Sequence, residues 1–149
     1  MSQNRCGSRR FCAGVREVDE HHTMEVVARA LGTALRQALG QKLGIGRYGF
    51  ELPMDECRAK VLLDLGGRAC FRWNVPFTRD RVGDTPTEMF EHFFFSLSSA
   101  LQCNLHIEAD GTNNHHLVEG VFKAFARALR QAISRNVFSR ELPSSKGIL

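Results

Sequence analysis

The sequence contains no long run of apolar residues, and this absence excludes a membrane-spanning helix as its organising feature. A helix that crosses a bilayer needs roughly 20 consecutive apolar residues, and no segment of the 149 residues approaches that length. The opening segment, MSQNRCGSRRFCAGV, also lacks the apolar stretch of a secretory signal. From the sequence we expect a cytoplasmic protein without a membrane partner.

Cysteine is present but never as Cys-x-x-Cys, the spacing typical of zinc and redox sites. The five cysteines are Cys6, Cys12, Cys57, Cys70 and Cys103. An odd number without a regular framework indicates reduced thiols, which persist in the cytosol.

The sequence has little excess charge and no aromatic pattern typical of an RNA-binding sheet. Its net charge is +4, with several arginines in the first sixteen residues. A solvated basic surface explains this better than a nucleic-acid partner, although a basic nucleic-acid-binding α+β domain remains the third alternative. Hydrophobic residues make up 43% of the chain, enough for one globular domain with a core.

Four of the six histidines occur in two copies of one pattern, His-His-x-x-Glu. One copy is His21-His22-x-x-Glu25 and the other is His115-His116-x-x-Glu119. Aligned at a constant offset of 94, the segments 21–40 and 115–134 are identical at ten of twenty positions. This match indicates an internal duplication.

Both copies are predicted to begin helices. Apolar residues recur at helical spacing through 21–40 and 115–134, and Asp19 or Asn113 is placed to cap each start. The histidine pair then lies in the first turn of each helix.

The segment between the two helices changes period. Two strands are predicted at 58–65 and 69–77, joined as a hairpin by Gly66-Gly67. Thr85, Pro86 and Glu88 have the pattern of a capped helix start, which predicts a helix to Leu101. A short strand at 104–108 follows. The predicted fold is therefore α+β, made of duplicated β-β-α-β-α two-layer units. The second unit is complete, and the first is reduced to its last helix.

The doubled histidine pattern predicts a metal site. On a helix, His21 and His22 lie four and three residues from Glu25, so both approach one carboxylate. Imidazole nitrogens with a carboxylate suit manganese, iron or zinc. Adjacent helical side chains diverge by about 100°, so each histidine of a pair can face a different metal. A single copy would more often be a surface or capping feature; two copies, with His106 on the preceding strand, favour metal binding.

Seven ordered blocks of sequence, spread from Asp19 to the tail, carry a resemblance to a known family. They are Asp19-Glu20-His21-His22-Thr23-Met24-Glu25, Arg47-Tyr48-Gly49 with Pro53-Met54-Asp55-Glu56, Gly67-Arg68, Val82-Gly83-Asp84 with Thr87-Glu88, Leu105-His106-Ile107, Asn113-Asn114-His115-His116-x-x-Glu119, and Pro143-Ser144-Ser145-Lys146-Gly147. In this order they resemble the imidazoleglycerol-phosphate dehydratases of histidine biosynthesis. The resemblance covers residues 19–149, whereas residues 1–18 form an unmatched basic segment that we expect to be disordered.

The resemblance implies a lyase that converts imidazole glycerol phosphate to imidazole acetol phosphate. It implies two Mn²⁺ ions per site and a homo-oligomer, a shell of 24 subunits in the family. The implied metal ligands are His21, His22, Glu25, His106, His115, His116 and Glu119. The implied catalytic residues are Glu25, Glu119, His21 and His115. The implied contacts to the phosphorylated substrate are Arg47, Arg68, Ser145 and Lys146.

Several departures from the family pattern leave an alternative open. Val26 stands where the family has an aspartate, and nothing in residues 1–18 matches the family's first repeat. The alternative is a metal-binding fragment or paralogue with little or no activity. We expect His92, in the position that corresponds to a first-repeat histidine, to be structural more often than ligating.

Overall fold

The computed structural model describes residues 20–136, 138–139, 141–145 and 147, and the fold below is that of these residues. The expected disorder of residues 1–18 and the cap at Asp19 lie outside them. In chain order the elements are α1 (Glu20–Leu39), β1 (Tyr48–Met54), β2 (Cys57–Asp64), β3 (Cys70–Asn74), β4 (Arg81–Val82), β5 (Thr85–Pro86), α2 (Glu88–Leu101), β6 (Asn104–Asp110) and α3 (Asn114–Ala132). The α+β class is confirmed, whereas the duplication of whole units stays a prediction from the sequence.

Four strands form one sheet in the order β1-β2-β6-β3. Strand β6, one of the two interior strands, pairs antiparallel with β2 and parallel with β3. Ile107 of β6 lies opposite Val61 on one side and Trp73 on the other. Leu105 and Ile107 are fully buried, whereas His106 between them faces the opposite side of the sheet, as the predicted alternation requires.

The hairpin predicted at Gly66-Gly67 is wrong. Both strands exist, but β6 lies between them, so β2 and β3 do not pair. The glycine pair signals a change of chain direction and carries no information on which strand becomes the neighbour. Strand β2 instead forms a hairpin with β1, a strand that the sequence did not reveal. Pro53 obscures the strand pattern of β1, and a proline is tolerated there because β1 is an edge strand.

The predicted start of α2 is also wrong, by two residues. Thr85 and Pro86 form β5 and pair with Arg81 and Val82 of β4. The helix begins at Glu88, and the Thr87 hydroxyl donates to the Arg79 carbonyl at 3.1 Å instead of capping the helix. Thr85 and Pro86, which were expected to begin the helix, therefore belong to the turn before it. The predicted end at Leu101 is confirmed.

The helices lie on one face of the sheet. Helix α3 packs on β1 and β2, α2 packs on β3, and α1 packs on α2. Phe94 is fully buried at the junction, with its ring centroid 5.9 Å from that of Trp73 and 4.9 Å from that of Phe122. Burial of this aromatic side chain removes apolar area from water, which stabilises the fold by roughly 25 cal/mol per Å². The junction therefore helps to hold the layers together.

Helix α1 reaches α2 closely because of Gly32. A Cβ atom at this position would lie 2.7 Å from the Leu97 carbonyl oxygen and 2.9 Å from Ala100 Cβ. The close approach brings the first turn of α1 beside the first two turns of α2. None of the three helices has the length and apolarity to cross a membrane.

Candidate metal centre

The first two turns of α1 and the start of α2 bring together three side chains whose donor atoms are of the type that binds metals, His21, Glu25 and His92. We call this set the first cluster. Their donor atoms all lie within 4.8 Å of one another. The rings of His21 and His92 have centroids 3.9 Å apart, and His92 Nε2 lies 3.6 Å from Glu25 Oε2. Two imidazoles and a carboxylate from two helices therefore converge on one point.

The donors of the first cluster fit a divalent transition metal. Glu25 Oε1 accepts a hydrogen bond from Arg29 at 3.0 Å, and this contact is the main reason that the pKa of Glu25 lies below its usual value. Its second oxygen, Oε2, faces His92 Nε2 at 3.6 Å. His92 Nε2 is buried and has no hydrogen-bond partner within the described part of the chain. A buried polar atom without a partner is costly, and coordination of a cation would satisfy it.

The first turn of α3 carries the second cluster, which consists of His115, His116, Glu119 and Glu56. Asn113 caps this helix as predicted, because its side-chain oxygen accepts from the backbone N–H groups of His115 and His116 at 2.9 and 3.4 Å. His115 Nε2 lies 3.6 Å from Glu119 Oε2. The cap thus fixes the turn that presents both histidines.

Glu56, in the turn between β1 and β2, makes the shortest contact of the second cluster. Its Oε2 lies 2.7 Å from His116 Nδ1. This hydrogen bond is the chief cause that lowers the pKa of Glu56 to about 2 and raises the pKa of His116. The pair therefore favours an ionised carboxylate next to a ring that readily holds a proton.

The two glutamates of the duplicated pattern have matching surroundings. In each, Oε1 pairs with a cation four residues later, Arg29 for Glu25 and Lys123 for Glu119, at 3.0 and 2.6 Å. In each, Oε2 faces an imidazole at 3.6 Å. The lysine contact is also the chief reason that the pKa of Glu119 is lowered. Both glutamates are thus held as carboxylates, with one oxygen on a cation and the other facing an imidazole.

The structure places His106 apart from both clusters. It lies on the outer face of the sheet between Leu62 and Arg72, with Nε2 4.0 Å from Cys70 Sγ. His22 is exposed and, within the described residues, joins neither of the two triads of donor atoms that lie within 4.8 Å, namely His21, Glu25 and His92, and Glu56, Cys57 and His116. The sequence favoured a structural role for His92. Its contact with His21 and Glu25 depends on how α1 packs across α2, which local sequence patterns do not specify. The Glu91-His92 pair near the start of a helix was the available signal.

Of the residues expected to contact substrate, Arg47 lies against the segment 141–145. Arg47 Nε and Nη2 pair with the two oxygens of Asp64 at 2.6 and 3.1 Å, and Arg47 Nη1 donates to the Pro143 carbonyl at 2.7 Å. Arg68 and Ser145 are exposed. Lys146 lies outside the described residues. Arg47 thus ties the segment that carries Ser145 to the sheet.

Fold and side-chain clusters together define a class of α+β protein in which α1 and α3 each carry a histidine pair followed by a glutamate in their first two turns. The family model of imidazoleglycerol-phosphate dehydratase matches residues 6–129 of the sequence. The chain belongs to the imidazoleglycerol-phosphate dehydratase family.

Curated relatives and solved structures agree with this assignment. The chain is 57% identical over 133 residues to the histidine biosynthesis bifunctional protein HisB of Bacteroides fragilis, a match that covers 89% of this chain and 36% of that protein. It is 54% identical to the HisB protein of Actinobacillus pleuropneumoniae, over 93% of this chain and 38% of that one. The chain therefore spans little more than a third of the length of these relatives.

Two solved dehydratases share its fold. The Staphylococcus aureus enzyme superposes with a TM-score of 0.76 at 35% identity, covering 79% of this chain and 70% of the other. The Pyrococcus furiosus enzyme, solved with (S)-C348, gives 0.74 at 29% identity, covering 87% and 71%.

Proposed function

We propose that the chain carries imidazoleglycerol-phosphate dehydratase activity and removes water from imidazole glycerol phosphate to give imidazole acetol phosphate. The observation that supports this proposal most is the pair of similarly built histidine–carboxylate clusters in a member of this family. The HisB relatives are named for histidine biosynthesis, which agrees with this reaction.

Two Mn²⁺ ions are the proposed cofactors. His21, Glu25 and His92 supply one donor set, and His115, His116 and Glu119 supply the other, with the exposed His22 as a further donor. In this proposal His92 takes the place expected for His106, because the structure brings His92 and not His106 to the carboxylate of Glu25. Bound divalent ions act as Lewis acids that stabilise negative charge on the substrate.

The chain's own carboxylates supply proton transfer. The proton that leaves carbon in this dehydration is not next to a carbonyl group, so it is weakly acidic and needs a positioned base. Glu25 and Glu119 are ionised, and each has one oxygen directed toward an imidazole. One carboxylate accepts the carbon-bound proton, and the neighbouring hydroxyl leaves as water after it gains a proton. The resulting enol then becomes the ketone of the product.

Arg47 and Arg68, with Ser145 and Lys146, hold the substrate phosphate in this proposal. A guanidinium has five N–H donors, and Arg47 uses three of them on Asp64 and Pro143. The remaining donors, with the exposed Arg68 and the adjacent Ser145 and Lys146, form an anion site by this proposal. Bidentate arginine contacts are well suited to phosphate.

We further propose that the protein is a cytoplasmic homo-oligomer. Within the described residues the two clusters use different donors, so one chain presents two partial sets. A site shared between copies, as the family resemblance implies, would complete both sets. The cysteines in the described part of the chain are free, which agrees with a reducing compartment.

The test combines a metal titration with an activity assay. Metal-stripped protein is titrated with Mn²⁺, and formation of imidazole acetol phosphate is followed with and without the ion. Replacing both His115 and His116 with alanine should abolish tight binding and turnover. His92→Ala should weaken Mn²⁺ binding, whereas His106→Ala, the matched single-histidine control, should not. Equal binding by the double variant and the unaltered protein would disprove the proposal.

A further inference from the structure

The turn between β1 and β2 directs one carboxylate toward the start of α3. Asp55 occupies the left-handed region with φ of +48°, which turns the chain so that Glu56 faces the helix. Glu56 Oε2 contacts His116 Nδ1 at 2.7 Å, and Oε1 accepts from the Asn113 backbone N–H at 3.2 Å and from Cys57 Sγ at 3.4 Å. Both oxygens of Glu56 therefore have partners.

The buried neighbour Cys57 keeps this turn in place. Its thiol lies beneath Gly111, where φ is +157° and a Cβ atom would collide with Cys57 Sγ. The Cys57 sulfur also lies 3.7 Å from the Asn113 carbonyl oxygen. Glu56 is thus attached to the loop before α3 at several points, and its distance from His116 is set by the backbone on both sides.

The direction of the contact defines which nitrogen of His116 carries a proton. An ionised carboxylate has no proton to donate, so His116 Nδ1 must be the N–H donor. In the neutral ring the lone pair then resides on Nε2. Asp55 Oδ2 lies 4.0 Å from that nitrogen, beyond hydrogen-bond range. Histidines that ligate metals commonly donate their other N–H to a carboxylate in this way.

We propose that Glu56 is a positioning residue that holds His116 as the Nδ1–H tautomer and so makes Nε2 its ligand atom. The inference deepens the proposed function, on which its relevance to metal binding rests. Glu56 acts through His116 and is not itself a ligand or a proton donor to substrate in this proposal. Without the carboxylate, the ring would be free to move its proton to Nε2, where it blocks coordination.

The direct test reads the tautomer in metal-free protein. The full chain is labelled with ¹⁵N-histidine, and long-range ¹H–¹⁵N spectra are recorded at an alkaline pH where the ring is neutral. The signals of His116 are assigned by their loss in His116→Gln. We expect a protonated Nδ1 and an unprotonated Nε2, and Glu56→Gln should shift the ring toward Nε2–H. Asp55→Asn is the matched control: it removes the same charge from the same turn and should leave the tautomer unchanged.

A second readout measures the consequence for the metal. Loss of a carboxylate partner of a ligating histidine typically costs about 10–100-fold in affinity. Glu56→Gln should weaken Mn²⁺ binding by that amount, and Asp55→Asn should have a much smaller effect. Circular dichroism is used to check that each variant keeps its helices.

The outcomes separate this inference from the proposed function. A wild-type spectrum with Nε2 protonated overturns the inference, even if Glu56→Gln fails to fold. An equal tautomer shift in Asp55→Asn and Glu56→Gln also overturns it. Absence of Mn²⁺ binding in the wild type overturns the proposed function. The result on the tautomer would still stand, because it is measured without metal.

Discussion

Arg47 and Asp64 form a two-point ion pair, with Nε and Nη2 of the arginine 2.6 and 3.1 Å from the two carboxylate oxygens. The same guanidinium reaches Pro143, 96 residues further along the chain. Arg47 itself has a φ of +69° and packs its guanidinium over the Tyr48 ring at 5.0 Å. Asp64 therefore orients the arginine that attaches the chain's tail to the sheet.

Asp64→Asn should destabilise the protein and release the tail. The change leaves a half-buried guanidinium without its anionic partner, and loss of one partner of a charged hydrogen bond costs about 1–3 kcal/mol. Urea unfolding measures the loss, and limited proteolysis detects the exposed segment 141–145. Glu51→Gln is the control, because the Glu51–Arg58 pair is exposed and 3.8 Å long and should contribute at most about 1 kcal/mol. Equal losses in both variants would contradict the expectation.

Gly32→Ala should separate α1 from α2. Alanine raises helix propensity by about 1 kcal/mol, but its Cβ would meet backbone and Ala100 at less than 3 Å, and overpacking costs roughly 1–3 kcal/mol. We expect a net loss of stability and weaker metal binding at the first cluster. Gly120→Ala in α3 is the control, since its Cβ would approach only side-chain carbons, Met54 at 3.3 Å and Ala59 at 3.5 Å. A larger loss in Gly120→Ala would refute this prediction.

Asn113→Ala should lower stability by about 0.5–2 kcal/mol, the usual loss for a helix cap. The side chain accepts from the two N–H groups that belong to the histidine pair, so Mn²⁺ affinity should fall as well. Thermal unfolding and a metal titration test both effects. Asn113→Ser keeps a capping oxygen and should restore most of each.

The Glu56–His116 pair should stabilise the metal-free protein most between about pH 4.5 and 6.5. The pKa of Glu56 is lowered to about 2, so its contribution is complete above the ordinary value of 4.5 and is lost as the pH falls toward 2. The pKa of His116 is raised, so its contribution is complete below 6.5 and is lost as the pH rises through the raised value. Urea unfolding of the wild type and Glu56→Gln across this range measures the difference, which should shrink at both ends. A difference that does not vary with pH would count against the pairing.

Local patterns in the sequence predicted the parts of the site that depend on one helix. His115, His116 and Glu119 share a turn of α3 because helical spacing and the Asn113 cap are properties of adjacent residues. Contacts between different helices and strands were harder to predict from the sequence. His92 meets His21 across the contact between α1 and α2, which is close at Gly32, and Glu56 meets His116 across the contact between the β1–β2 turn and α3. The wrong hairpin has the same origin, since the sequence at Gly66-Gly67 does not specify that β6 becomes the neighbour of β2.

The interior place of β6 also governs the order in which this protein can assemble during synthesis. Strand β3 emerges from the ribosome before β6, yet in the described sheet its backbone partners are the residues 104–108. Until those residues appear, β3 lacks the strand with which it pairs in the sheet. Formation of such non-local pairs is slow because a long loop must close first. A nascent chain stalled before Asn104 is therefore expected to depend on chaperones, whereas β1 and β2, joined by a two-residue turn, can pair early.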